Sequence, residues 1–227
     1  MNNLINIEIK NFRGFDHLDI NDLSRINIFV GKNNVGKTSI LESIFLMIGM
    51  SNPFIPGMLN QFRGITVQNS KQLKYLFHNL DTKNTPNIKG ILSEEESREV
   101  EIDAKYLSNN DINVSSISTP EINGIDINFK IKYGGEMFPT EYSSSISFEN
   151  NTIKESISKN YKENRYAVYV SADKNDDMST LQRYADMIKK KSGSSILKSL
   201  QQFDADINDV KVLPDGIFFD LKGVDEL

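Results

Sequence analysis

"FVGKNNVGKTSILESIF", residues 29–45, starts as an apolar run, passes through a polar loop framed by glycines, and continues as an amphipathic segment that begins with a lysine. Gly31, four residues, then Gly36-Lys37-Thr38 satisfies the spacing G-x-x-x-x-G-K-[ST], with a strand-like run before it and a helix-like run after it. The physical reason for each residue is direct. Glycines let the backbone bend so that successive N–H groups point inward at phosphate oxygens. The new helix offers the same anion its unpaired first N–H groups and the positive end of its dipole. In such a loop Lys37 bridges the β- and γ-phosphates as a point charge, and the Thr38 hydroxyl ligates Mg²⁺. A plain glycine-rich turn is the alternative, but it leaves unexplained a lysine placed where its charge opposes the helix dipole. Gly31, Lys32, Asn33, Asn34, Val35, Gly36, Lys37, Thr38 and Ser39 are therefore the candidate nucleotide-binding residues, with Thr38 the candidate metal ligand and ATP with Mg²⁺ the expected cofactors.

Upstream of the loop, "LINIEIK" (4–10) puts Ile5, Ile7 and Ile9 on one side and Asn6, Glu8 and Lys10 on the other, the period of a half-buried strand. "LDI" fits a second short strand after the turn-like "NFRGFDH", and "RINIFV" (25–30) reads as a strand covered on both faces. Downstream, Ile40, Leu41, Ile44, Phe45 and Ile48 recur at helical spacing, and Gly49 marks the stop. Residues 51–70 read as a loop-rich connection, and "KQLKYLFHNL" (71–80) as a short helix. From about 87 to 155 the pattern is strand-like, with alternation at Val100, Ile102 and Ala104 and from Ile125 to Tyr133. "YAVYV" (166–170) reads as another buried strand. Helical spacing follows at Leu181, Tyr184, Ala185 and Ile188 and at Ile196, Leu197, Leu200 and Phe203, and "VKVLPDGIFFDL" reads as a closing hairpin.

Composition narrows the function classes. The chain has 227 residues, 38% of them hydrophobic and 25% charged, as in ordinary globular proteins. No apolar stretch approaches the length of a membrane helix, and the N-terminus lacks the apolar core of a signal peptide. With no cysteine there is no disulfide framework and no thiolate metal site. His17 and His78 have no ligand-spaced partner, so no histidine-based metal cluster is expected. The expected location is the cytoplasm. A formal net charge of −5 argues against the whole chain acting as a nucleic-acid glove. Lys189-Lys190-Lys191 read as cations closing a helix, and "SEEESREVE" (93–101) as a solvated turn and strand.

Among nucleotide-binding classes, a GTPase needs [NT]-K-x-D. "DTKNT" (81–85) carries Thr85 where the aspartate belongs, and "DKND" (173–176) carries Asp173 in place of asparagine. A small-molecule kinase starts almost at its phosphate loop and continues as alternating βαβ units, whereas here two strands precede the loop and a long antiparallel stretch follows.

"INIEIKNFRGFDHLDI…INIFVGKNNVGKTSILESI" closely resembles the N-terminus of ABC-type ATPase heads of the RecF, SMC and OLD (overcoming lysogenisation defect) group. Within that group it is most similar to the stand-alone AAA/OLD-like ATPases of bacterial defence loci. The resemblance is specific over residues 1–50 and looser over about 160–227. It implies an α/β P-loop NTPase head with an antiparallel β lobe. Three stretches are expected: 1–50 with strands, loop and first helix; 51–160 as a variable, largely antiparallel insert; and 161–227 as strand, helices and hairpin. From "KNFRGF" it implies that Arg13 contacts the phosphates or positions the base, with Asn11 and Phe12 nearby. Asn33 matches the loop asparagine of such heads, while Asn34 stands where a small residue is common. A Q-loop residue is also implied, with Gln61, Gln68 and Ser171 as candidates. The implied partners are a second copy across the ATP sites, a Toprim-type nuclease or other effector, and DNA; no membrane is implied.

Such heads also carry a signature loop, a Walker B run ending Asp-Glu, and a switch histidine, and none of these is found here. "GIFFDL" offers Asp220 after three apolar residues, but Leu221 stands where the catalytic glutamate belongs. The chain is thus expected to lack the second half of its active site, either as a piece of a longer protein or through a split gene. Alone it is expected to bind ATP weakly and turn over little. A non-hydrolysing regulatory module acting through a partner is the alternative, and a small kinase or GTPase of unusual layout is a third.

Overall fold

The computed structural model describes residues 3–66, 69–93, 96–106, 121–149, 152–170, 177–213 and 216–223. The chain divides into two compact units, Met1–Val170 and Ser171–Leu227.

The first unit is built on a seven-stranded antiparallel sheet in the order β2-β1-β3-β4-β5-β6-β7. Its strands are β1 (Asn6–Phe12), β2 (Phe15–Ile20), β3 (Asn87–Ser93), β4 (Glu96–Tyr106), β5 (Ile122–Tyr133), β6 (Thr140–Glu149) and β7 (Thr152–Ile157). Between β2 and β3 the chain forms helices α1 (Lys37–Ile48) and α2 (Ile55–Phe62) and the 3₁₀ segments Ser70–Leu76 and His78–Leu80. β3 then returns on the far side of β1.

Alternation along the strands decides the two faces of the sheet. Register aligns Ile9, Ile88, Val100, Phe129 and Tyr142 in one row across β1, β3, β4, β5 and β6, and the first four of these are buried. The neighbouring outward row reads Glu8, Lys89, Glu99, Lys130, Glu141, so opposite charges face each other from strand to strand. Lys89 pairs with Glu99 at 3.2 Å and Lys130 with Glu141 at 3.1 Å. A one-residue slip would bury this ladder, so the pattern holds the register.

Helix α1 lies on the apolar face. It packs so closely that a Cβ at Gly90 would collide with the Met47 thioether. The stripe fully buried on α1 is Ser39, Glu42, Ser43, Leu46 and Met47, whereas the helical spacing points to Ile40, Leu41, Ile44, Phe45 and Ile48. Leu41 is 47% exposed, and the other four are partly buried against the core.

Two expected strands are not formed. Residues 25–30 and 166–170 belong to neither sheet, and their backbones carry no hydrogen bonds among the described residues. Ile26, Ile28 and Val30 are 79–84% exposed, and Tyr166 and Val170 are 94% and 86% exposed. The cause is the lack of a neighbour: a strand patterned for burial on both faces gains its enthalpy and its burial only inside a sheet. Phe29 and Tyr169 are half-buried, and Tyr169 is stacked on Phe62 with ring centroids 4.7 Å apart and set edge-on to Phe45.

The connection 51–70 contains α2, an element masked in the sequence by its glycine and prolines. Pro56 occupies the first helical turn, where its missing N–H costs nothing, and Asn52 accepts the Phe54 N–H at 3.0 Å. Residues 71–80 are 3₁₀ rather than α-helical, interrupted at Phe77, which bridges to Phe12. The segment 93–101 is not simply solvated: Glu96 and Arg98 are buried. Arg98 donates to Glu96 (2.7 Å), to Glu163 (3.0 Å) and to the Ile48 carbonyl at the end of α1 (3.1 Å), and Arg165 pairs with Glu96.

The second unit contains α3 (Asp177–Lys189), α4 (Gly193–Leu200) and the antiparallel pair β8 (Ile207–Leu213) and β9 (Gly216–Leu221). Tyr184 donates its hydroxyl to the Val210 carbonyl, joining α3 to β8. Phe203, expected on the helix, lies beyond its end and is 90% exposed.

Candidate nucleotide-binding site

The loop between residues 31 and 36 turns into α1 through Gly36, whose φ of +96° belongs to the left-handed region that favours glycine. Phe15, at the start of β2, lies directly against it, so a side chain at Gly36 would meet the phenyl ring. Asn34 also has positive φ, +65°, a conformation that asparagine tolerates better than most residues. Together these residues shape a cavity of about 480 Å³ lined by Gly14, Phe15, Asn33–Ser39 and Arg63.

The cations of the site have defined partners. Lys37 Nζ donates to the carbonyls of Gly31 (2.9 Å) and Lys32 (2.7 Å), so the ammonium folds across the loop that precedes it. Thr38 is exposed at the first turn of α1, and Ser39 is buried one residue further on. Arg63 follows α2 and was not singled out by any motif. Its Nη2 donates to Ser39 Oγ at 2.9 Å, and its Nε and Nη2 donate to the two oxygens of Glu42 at 2.7 and 2.9 Å. Only the fold brings it to the loop, so no local pattern signals it.

Arg13, which the "KNFRGF" resemblance assigns to the phosphates or the base, is not among the residues that line this cavity. It is 8% exposed, with Nε donating to Glu42 Oε2 (3.1 Å) and Nη1 to Asn60 Oδ1 (2.7 Å) and the Tyr75 carbonyl (2.9 Å). Burial pushes its pKa down to about 10, a shift opposed by Glu42 and reinforced by Arg63, which leaves the guanidinium charged at neutral pH. Its backbone is held too, with N–H donating to the Leu76 carbonyl and O contacting His78 Nδ1. Neighbouring Asn11 donates to the Thr85 carbonyl, and Phe12 is a core residue.

A phosphate chain with a divalent cation suits this donor set. The lining brings together the first turn of α1, Lys37, the exposed Thr38 hydroxyl and Arg63. No carboxylate lines it among the described residues. Asp220 lies in the second unit, with Asn208 Nδ2 at 3.4 Å and Lys211 Nζ at 3.9 Å. Of the Q-loop candidates, Gln61 lies on α2, while Gln68 and Ser171 fall outside the described residues, as does Asp173. Glu8, His17 and Asp19 bring ligand atoms within 4.8 Å of one another on the outer face of the sheet, a grouping that sequence spacing did not suggest. No helix among the described residues is long and apolar enough to cross a membrane.

Curated relatives match parts of the chain. A protein named ATP/GTP phosphatase from Helicobacter pylori is 29% identical over 98 residues, covering 42% of this chain and 26% of that protein. The DNA replication and repair protein RecF of Lactobacillus johnsonii is 48% identical over 44 residues, 19% of this chain and 12% of RecF. The chain spans about a quarter or less of the length of these curated relatives. The model of the AAA ATPase domain family matches residues 3–212, nearly the whole chain, and the protein belongs to that family.

Proposed function

We propose that this chain is the ATP-binding portion of an ABC/OLD-like ATPase. It binds ATP with Mg²⁺ between the loop Gly31–Ser39 and Arg63, and in its complete form couples nucleotide binding and hydrolysis to DNA- or nuclease-linked defence or repair in the cytoplasm. The observation that carries the nucleotide reading is the convergence of Lys37, Arg63 and the N-terminus of α1 on one cavity. When bound, Mg²⁺ neutralises phosphate charge. The chain's own contribution is to hold it at Thr38, to bind the phosphates through backbone N–H groups and Lys37, and to keep Arg63 over Ser39.

Turnover needs a group that activates water, and the reading of a chain that binds without hydrolysing alone is supported by a cavity lined, among the described residues, by no carboxylate. A homodimer closing over the two ATP sites would supply missing groups in trans, and a Toprim-type nuclease fits as the effector; both extend the RecF-like relationship. The alternative is a non-hydrolysing regulatory module acting through a partner, which the same lining favours.

Calorimetry with ATP and Mg²⁺ on the wild type and Lys37→Ala, with an ATPase assay on both, tests this reading. Saturable binding abolished by Lys37→Ala, with little or no phosphate release, is expected. No binding by the folded wild type refutes the nucleotide site, and sustained turnover by the chain alone refutes the division of labour.

A further inference from the structure

Glu42 is completely buried, and it is the carboxylate to which both arginines of this region are bound. Arg63 spends its Nε and Nη2 on Glu42 and Ser39, and among the described residues its Nη1 has no hydrogen-bond partner. Arg13 approaches the same Oε2 from the interior, fixed by Asn60 and the Tyr75 carbonyl. Asn60 is itself held, donating to the Gln72 carbonyl at 2.7 Å. A rigid chain therefore runs from the β1–β2 turn through Glu42 to the mouth of the phosphate loop.

We infer that Arg13 is a positioning residue of the nucleoside-polyphosphate site, acting through Glu42 to hold Arg63 over Ser39, and does not itself bind phosphate. Two physical consequences follow from sharing one carboxylate. With Arg63 as its only partner, Glu42 would form a neutral pair and draw the guanidinium fully onto itself, because a buried carboxylate lacks any other compensation. With Arg13 present the cluster keeps a net positive charge, and its outermost part is the Arg63 fork at the cavity. Arg13 also fixes the direction of the Glu42 carboxylate, and with it the angle at which a bidentate guanidinium can dock.

This inference rests on the phosphate-loop reading, and a double-mutant cycle on the full chain separates the two. ATP affinity is measured by calorimetry for wild type, Arg13→Lys, Arg63→Ala and the double variant, with thermal unfolding followed in parallel. Arg63→Ala is expected to weaken ATP binding about tenfold, the loss of one charge-assisted contact. Arg13→Lys is expected to weaken it severalfold in the wild-type background and not at all in the Arg63→Ala background. A role in overall folding would lower affinity in both backgrounds, and so would direct contact with phosphate; losses that multiply, or no loss for Arg13→Lys in the wild type, overturn the inference. Should Arg13→Lys fail to fold, Glu42→Asp keeps the charge but is one methylene too short to hold both guanidiniums, and the same dependence on Arg63 is required of it. A folded wild type that does not bind ATP removes the site itself, whereas ATP binding with multiplicative losses removes only the positioning role.

Discussion

Phe15 packs its ring against Gly36, so the β1–β2 turn touches the phosphate loop where that loop enters α1. A Cβ at Gly36 would stand 2.9 Å from Phe15 Cε1, on a backbone already at φ +96°. Gly36→Ala thus meets two penalties, a displaced ring and a left-handed alanine. We expect it to destabilise the first unit by about 1–3 kcal/mol and to abolish ATP binding. Adding Phe15→Ala should not restore binding, because the left-handed strain remains. Urea unfolding followed by far-UV circular dichroism, with an ATP titration, checks both.

Removing Arg98 should cost far more than its length suggests. The side chain is 0% exposed, and Glu96 is almost equally buried. Arg98→Met leaves Glu96 and Glu163 without their shared partner and is expected to cost about 3–5 kcal/mol, the range for breaking a buried pair from one side. Replacing Glu96, Arg98 and Glu163 together by apolar residues of similar volume should cost much less. The comparison of urea midpoints decides whether charge compensation or volume dominates.

Acid should loosen the same region. Burial pushes the Glu96 carboxyl up, but hydrogen bonds from Arg165 and Arg98 outweigh it and hold the carboxyl below its ordinary value of 4.5. Between the two values the unfolded chain binds the proton more readily, so stability rises with pH there. The Glu96 contribution is therefore present above pH 4.5 and is lost as pH falls through the lower, folded value. Stability measured from pH 6 to pH 3 should drop more steeply for the wild type than for Glu96→Gln.

The unpaired segments 25–30 and 166–170 carry exposed apolar side chains of a kind that promotes self-association. Ile28→Asp combined with Val168→Asp should reduce dye binding to apolar surface and shift sedimentation toward the monomer. The thermal midpoint should change little, since these side chains are 82% and 59% exposed. An unchanged dye signal would show that these segments are not the exposed apolar surface in solution.

Sequence alone determined the elements whose cause is local. The spacing from Gly31 to Thr38 specified a glycine turn opening into α1, because backbone bending and a helix start are properties of a few adjacent residues. The period of two specified β1, β4 and β5 because burial on one face demands it. What the tertiary structure decided depended on distant partners. "RINIFV" and "YAVYV" have the apolar content of inner strands, but a strand exists only when a neighbour accepts its hydrogen bonds. Arg63 and Glu42 carry no motif, and Arg13 carries one that points to phosphate. The fold turns Arg13 inward onto Glu42 and leaves Arg63 at the cavity, because a buried carboxylate on α1 is compensated from both sides.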